Sequence, residues 1–244
     1  MAAAKRGRTH KKDAGETHKI GMGRMLRNLI LGGQDGIVNV LGIVLGVATA
    51  TSSTYIVLLA GLAATFAESI SMAAVAYTST RAEAEHYESE RKRETREIDE
   101  APLAEKREIK DIYRKKGFSG KLLDGIVRRI TSDRKVWLET MMREELGLEN
   151  PSEGMTPFWQ AAIVGGSALI GSFVPILPFF FLPVAVSMPV SLAASLALLF
   201  IMGAYKSSET SGKWLKGGLE LMVIGGAAAL AGYAVGLFFK VSVP

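Results

Sequence analysis

The sequence predicts an all-α, polytopic membrane protein with five transmembrane helices and a charged, helical cytoplasmic domain. Three observations carry that expectation. First, charge is segregated: Asp35 and Glu68 are the only charged residues between Arg27 and Arg81, and none follows Glu153 until Lys206. Such stretches are hard to place in water and are explained directly by a bilayer. Second, the intervening positions 81–153 hold 17 Lys/Arg and 18 Asp/Glu. Third, the basic residues are one-sided. With five spans and an inner N-terminus, the inner segments 1–28, 81–155 and 206–216 contain 28 of the 29 basic residues, and Lys240 is left at the outer end. The 48% hydrophobic content alone does not decide the class.

Residues 1–28 read as a basic cytoplasmic N-terminal tail, with eight Lys/Arg against Asp13 and Glu16. The tail is expected to lack structure before Ile20. It has no small-residue cleavage site after a short apolar core, so it does not read as a signal peptide. Beside a membrane segment its charge is a topology signal rather than a nucleic-acid footprint, and no nucleic-acid partner is expected. Residues 29–80 hold the first two spans, from about Leu31 to Ala50 and from about Tyr55 to Tyr77, the second continuing as helix through Thr80. Five glycines lie in the first span (Gly32, Gly33, Gly36, Gly42 and Gly46), so another helix could approach it closely.

Residues 81–155 form the charged domain, with helices expected over 81–100, 102–116 and 119–146 and a stop at Gly147. Ile109, Ile112, Leu122, Leu123, Ile126, Val127, Ile130, Val136, Trp137 and Leu138 are its expected core. Residues 156–244 hold spans three to five. The third, from Phe158 to about Leu182, carries Pro175 and Pro178, which imply a kink or local unwinding. Pro183 and Pro189 are expected to bracket a short outer turn before a fourth span over Val190–Tyr205, whose start could lie nearer Val184. The fifth covers Leu219 to Phe239.

Candidate chemistry sits in two places. Asp35 and Glu68 are acids inside apolar spans, where a charge facing lipid is costly and usually marks an interior or a wet path. Met72 lies four residues beyond Glu68, on the same helical face. Two acids and a thioether suit a borderline divalent ion or proton exchange; alternatively, Glu68 is a hydrogen bond joining two spans and Met72 is packing. In the charged domain, Glu94, Glu97, Glu105 and Glu108 recur at i, i+3, i+11 and i+14, one side of a straight helix, with Pro102 bending that helix or starting a new one. Met141, Met142 and Glu145 add two thioethers and a carboxylate. The other reading of this domain is a solvated amphipathic surface with salt bridges. Cysteine is absent, which excludes disulfides and thiolate ligands. No nucleophile–base set or phosphate loop stands out, so an enzyme is not expected.

At these residues the chain resembles the vacuolar iron transporter family. The resemblance rests on Gly33-Gln34-Asp35-Gly36, Ala67-Glu68-Ser69-Ile70-Ser71-Met72, the four spaced glutamates, Met141-Met142-Arg143-Glu144-Glu145-Leu146-Gly147-Leu148, and Leu177-Pro178-Phe179-Phe180-Phe181, in that order. It implies a transporter that removes Fe2+ from the cytoplasm, coupled to H+ counterflow, with Mn2+, Zn2+ and Co2+ as further ions its cytoplasmic site could take. It implies five spans per subunit in a homodimer with the pore between subunits. Asp35, Glu68 and Met72 match the pore residues. Glu94, Glu97, Glu105, Glu108, Met141, Met142 and Glu145 match the ligands of a cytoplasmic helical metal-binding domain. One departure stands out: relatives commonly carry Gly-Glu before the tyrosine at 77, where this chain has Val75-Ala76. Compact length and the lack of a targeting segment favour a prokaryotic plasma membrane over a vacuole-like one. The competing function is a membrane-anchored iron-binding or sensing protein without transport.

Overall fold

A computed structural model describes the backbone of residues 3–151, 154–210 and 212–240, with side chains from Gly23 onward except Arg24. Among the described residues the fold is all-α. The helices are α1 (Ala3–Thr51), α2 (Thr54–Glu100), α3 (Pro102–Lys115), α4 (Gly120–Thr131), α5 (Arg134–Thr140), a π-helical turn (Met141–Glu145), α6 (Pro157–Phe181), α7 (Val184–Thr210) and α8 (Trp214–Phe238). Five are long and apolar enough to cross a membrane: α1 from Met25, α2, α6, α7 and α8. Contacts divide the chain into two units, with boundaries at Thr78/Ser79 and Thr156/Pro157.

In the apolar unit α1 packs against α6, α7 and α8. Its glycines make this possible. A Cβ built on Gly36 would lie 2.3 Å from the Ala168 carbonyl oxygen of α6, and one on Gly232 of α8 would lie 2.0 Å from the Gly42 oxygen. Backbone therefore rests on backbone, the packing open to helices where lipid removes the hydrophobic drive for association. Around this seam Val40, Val44, Ala48, Val57, Ile176 and Phe179 form one buried cluster, and Ile37, Leu199 and Leu221 another.

Several expectations need correction here. Helix α1 begins at Ala3 rather than near Ile20, and no proline precedes Pro102 to stop it. Helix α6 runs unbroken through Pro175 and Pro178, so the third span is not unwound. Instead α7 braces that stretch: the Ser191 hydroxyl donates to the Pro175 carbonyl at 2.7 Å, and Ser187 donates to the Pro178 and Leu182 carbonyls at 3.2 and 2.9 Å. Helix α7 starts at Val184, so Pro189 lies inside it and does not bound the turn. As the sixth residue of α7 it lacks the amide that would reach the Ala185 carbonyl, so one hydrogen bond just past the first turn is missing.

The second span and the first charged helix are one continuous helix, α2. No Gly or Pro occurs between Gly61 and Pro102, so nothing in the chain interrupts it. Pro102 then starts α3 as its N1 residue, after Ala101 leaves helical geometry at φ −131°, ψ 49°. The single helix expected over 119–146 is broken at Ser132-Asp133, because the Asp133 carboxylate accepts from the Lys135 and Val136 amides and caps a new helix.

The core of this unit is Ile98, Ile109, Ile130, Trp137 and Met141. Leu122 and Val136 were expected in it but are 63% and 42% exposed. Both lie on the outward faces of short helices, where neither can reach the shared seam. Ion pairs tie the short helices together: Lys110–Asp124 at 2.7 Å, Arg134–Asp99 at 2.5 Å and Lys116–Glu144.

Candidate metal centre

In the apolar unit α1 and α2 bring Asp35 and Glu68 together. The Glu68 carboxyl is within side-chain hydrogen-bonding reach of both Asp35 and Asn39. The α2 residues on either side face elsewhere: Thr65 and Ser69 donate to the Gly61 and Thr65 carbonyls at 2.9 and 2.7 Å, and the Ser69 carbonyl lies against Gly165 of α6. Asp35, Glu68 and Met72 are all half-buried. Met72 follows one turn after Glu68. Two adjacent carboxyl groups in an apolar surrounding are a natural stopping place for a cation. Asn39 was not singled out as a site residue. Its position four residues after Asp35, on the same face of an apolar helix, was the available signal.

In the charged unit, one carboxylate oxygen each from Glu94, Glu105 and Glu145 lie within 4.8 Å of one another. The backbone explains the convergence. Glu94 is near the end of α2, Glu105 stands in the first turn of α3 just past the Ala101-Pro102 break, and Glu145 ends the π turn. The chain reverses at Pro102, so the glutamates meet across a bend and not along one straight helix. The π turn closes with the Leu146 amide on the Met141 carbonyl at 3.2 Å, an i→i+5 bond. Gly147 follows at φ +65°, and the Leu148 amide reaches the Met142 carbonyl at 2.9 Å, a Schellman-type stop.

Glu94 and Glu105 are 1% and 5% exposed, and the Oε2 atom of each is buried with no hydrogen-bond partner. Orphaned buried carboxylate oxygens are costly unless a proton or cation offsets them. Burial, then the Glu145, Glu105 and Glu97 carboxylates, pushes Glu94 up to about 7, with Arg93 opposing. Glu145 is pushed up to about 7 by desolvation, the Glu108 and Glu105 charges, a hydrogen bond to Glu108 and the Glu97 charge. Glu105 is raised by burial and by Glu108 and Glu97. Glu97 and Glu108 thus belong to the same electrostatic cluster, outside the tight trio. Three carboxylate oxygens within 4.8 Å of one another need only a small closure to meet one divalent cation at about 2.0–2.5 Å.

Met141 and Met142 are both buried. Met141 packs with Ile98, Ile109, Ile130 and Trp137, so it serves the apolar core whatever else its sulfur touches. Arg93 is a further member that was not singled out from the sequence. It pairs with Glu90 at 2.7 Å, but also approaches Glu94 at 3.8 Å and Glu97 at 3.7 Å.

Comparison with known proteins bears on the chain as a whole. The model of the VIT family matches residues 26–237. Vacuolar iron transporter 2 of Oryza sativa subsp. japonica is 34% identical over 214 residues, covering 87% of each chain. Vacuolar iron transporter 1 of Arabidopsis thaliana is 33% identical over 87% of this chain and 85% of its own. The vacuolar iron transporter of Plasmodium falciparum is 32% identical over 93% of this chain and 86% of its own. These relatives are eukaryotic, so the likeness is not specifically to prokaryotic proteins. A family match over most of the chain, relatives aligned nearly end to end, five membrane-length helices and a carboxylate trio with two buried members lead to one conclusion: the chain belongs to the VIT family of metal transporters, which are not enzymes.

Proposed function

We propose that this protein exports Fe2+ from the cytoplasm in exchange for H+, through a pore at a homodimer interface. Mn2+ is the second candidate substrate, and Zn2+ or Co2+ are further ions the cytoplasmic glutamates could hold. The observation that carries the reading is the pair of separate carboxylate sets. Asp35 and Glu68 stand in reach of each other in the apolar unit, while Glu94, Glu105 and Glu145 converge in the charged one. In this scheme the charged unit captures ions, with Glu97, Glu108, Met141 and Met142 completing the ligand set. Asp35, Glu68 and Met72 pass the ion or the counter-moving proton. Carboxylates with thioethers favour a borderline ion such as Fe2+ over Mg2+ or Ca2+. The relatives' names, all iron transporters of vacuoles, support iron as the substrate.

The dimer follows from a shortage. One subunit has too few polar membrane residues to line a path, and two copies of Asp35, Glu68 and Met72 around one axis would supply it. Cysteine crosslinks near these positions should trap dimers in native membranes; a fully active, strictly monomeric protein contradicts this. Val75-Ala76 removes one polar step and narrows the passage chemistry to Asp35 and Glu68. The host membrane is a prokaryotic plasma membrane or a vacuole-like one, and in either the direction is out of the cytoplasm.

The test is Fe2+ flux across sealed proteoliposomes carrying an internal pH dye. Metal movement with opposite proton movement supports the exchanger. Saturable binding with no flux moves the protein to the alternative, a membrane-anchored iron-binding or sensing protein.

A further inference from the structure

Arg93 carries an inference about how the acidic cluster is tuned, and it rests on reading that cluster as a metal site. Its guanidinium lies along one edge of the cluster, 3.8 Å from Glu94 Oε1 and 3.7 Å from Glu97 Oε1. No ion pair to Glu105, Glu108 or Glu145 occurs among the described residues. Arg93 is therefore the local counter-charge for a group of five carboxylates. Two details show that it is loosely held there. Its contacts into the cluster are long, whereas its contact to Glu90, away from the trio, is 2.7 Å. Its side chain is also 44% exposed, so it can swing outward without disturbing the core. Meanwhile the Oε2 atoms of Glu94 and Glu105 stay buried and unpartnered, so the guanidinium does not satisfy the oxygens that most need a cation.

We propose that Arg93 is a displaceable counter-cation: its guanidinium offsets Glu94 and Glu97 when the site holds no metal, and an entering divalent cation drives it outward, leaving only the Glu90 pairing it already makes. Displacement costs the same for every divalent ion, so it leaves affinity ratios unchanged and raises all dissociation constants together. At fixed ion concentrations, the weakly held ions leave first. Mg2+, which sheds its water reluctantly and gains nothing from thioethers, is the ion this device excludes.

The test is calorimetric titration of the full-length protein in detergent with Co2+, comparing native, Arg93→Gln, Arg93→Lys and Glu105→Gln. Removing the guanidinium should tighten Co2+ binding by roughly three- to tenfold, the scale of a partly exposed ion pair acting on a doubly charged ion. Arg93→Lys should stay near the native value, and in Arg93→Gln Mg2+ titrated alone should tighten by the same factor as Co2+, leaving its competition against saturating Co2+ unchanged. A merely structural role for Arg93 cannot raise affinity. If the native protein binds, Glu105→Gln does not, and Arg93→Gln binds no tighter than native, the inference is overturned and the metal site stands. If the native protein fails to bind, or Glu105→Gln binds like native, both are overturned.

Discussion

The protein gathers carboxylates twice, by different means. In the apolar unit, Asp35 and Glu68 come from two long helices, and α1 is held against its neighbours by glycines that let backbone touch backbone, as Gly36 does on Ala168 and Gly232 on Gly42. In the charged unit, Glu94, Glu105 and Glu145 come from short elements joined by breaks: the proline start at 102, the Asp133 cap and the π turn. In the first arrangement the helix that carries Asp35 is fixed by close backbone packing. The second is held by a small core and surface ion pairs, each worth about 0–1 kcal/mol. A passage site benefits from fixed geometry, and a capture site from groups that rearrange around an arriving ion.

Perturbing each set in turn should separate the two roles. The largest effect is expected for Glu68→Ala, which should bring metal flux to background while divalent binding by the protein persists; normal flux would reduce Glu68 to a hydrogen bond between spans. Next, Glu94→Gln should weaken divalent binding by about tenfold or more without unfolding the protein. Because it removes a buried charge, its metal-free form should melt no lower than native at pH 7.5, and a circular dichroism melt checks this.

The third contrast concerns packing. Gly232→Ala would push a Cβ to 2.0 Å from the Gly42 carbonyl oxygen and should cost about 2–3 kcal/mol, read as a lower midpoint for unfolding in detergent. The fourth is pH. Glu94 and Glu145 titrate near about 7 in the folded protein, against 4.5 for an ordinary glutamate. The metal-free fold therefore holds protons that the unfolded chain has released. Their stabilising contribution is complete below about 4.5 and is lost as pH rises through about 7. Melting midpoints should fall from pH 5 to pH 7.5 without metal, and added Co2+ should reverse the fall at pH 7.5. The smallest effect is Gly125→Ala in α4, where nothing lies within 4 Å of an added Cβ. It should stabilise by about 0.5–1 kcal/mol, opposite in sign to Gly232→Ala.

What could be read in advance divides along the same line. Charge segregation marked five membrane-length helices, because transfer into lipid is a property of composition that needs no tertiary knowledge. The glycines of α1 signalled close packing for the same reason. The spaced glutamates pointed to a cluster, yet the geometry behind it was different: Pro102 folds the chain back, whereas the spacing argument assumed one straight helix. Asp133 was legible as a cap and went unread inside a long apolar pattern. The π turn was not legible, since an i→i+5 bond is chosen by the packing of Met141 and Met142 and not by local propensity. Arg93 and Asn39 were hidden by their neighbours, one among other basic residues and the other behind Asp35. The ion pairs of Arg93 are local, three residues back and one and four residues on, so helical spacing could have found them, whereas Asn39 acts across to Glu68 of another helix.

The central claim is that one carboxylate set captures the ion and the other passes it. Initial rates of Fe2+ flux in proteoliposomes, measured against metal concentration for native, Glu105→Gln and Glu68→Ala proteins, test it most directly. The account predicts that Glu105→Gln raises the half-saturating concentration and keeps most of the maximal rate, while Glu68→Ala loses the maximal rate at every concentration. Equal loss of maximal rate in both variants, or native-like flux in Glu68→Ala, would contradict it.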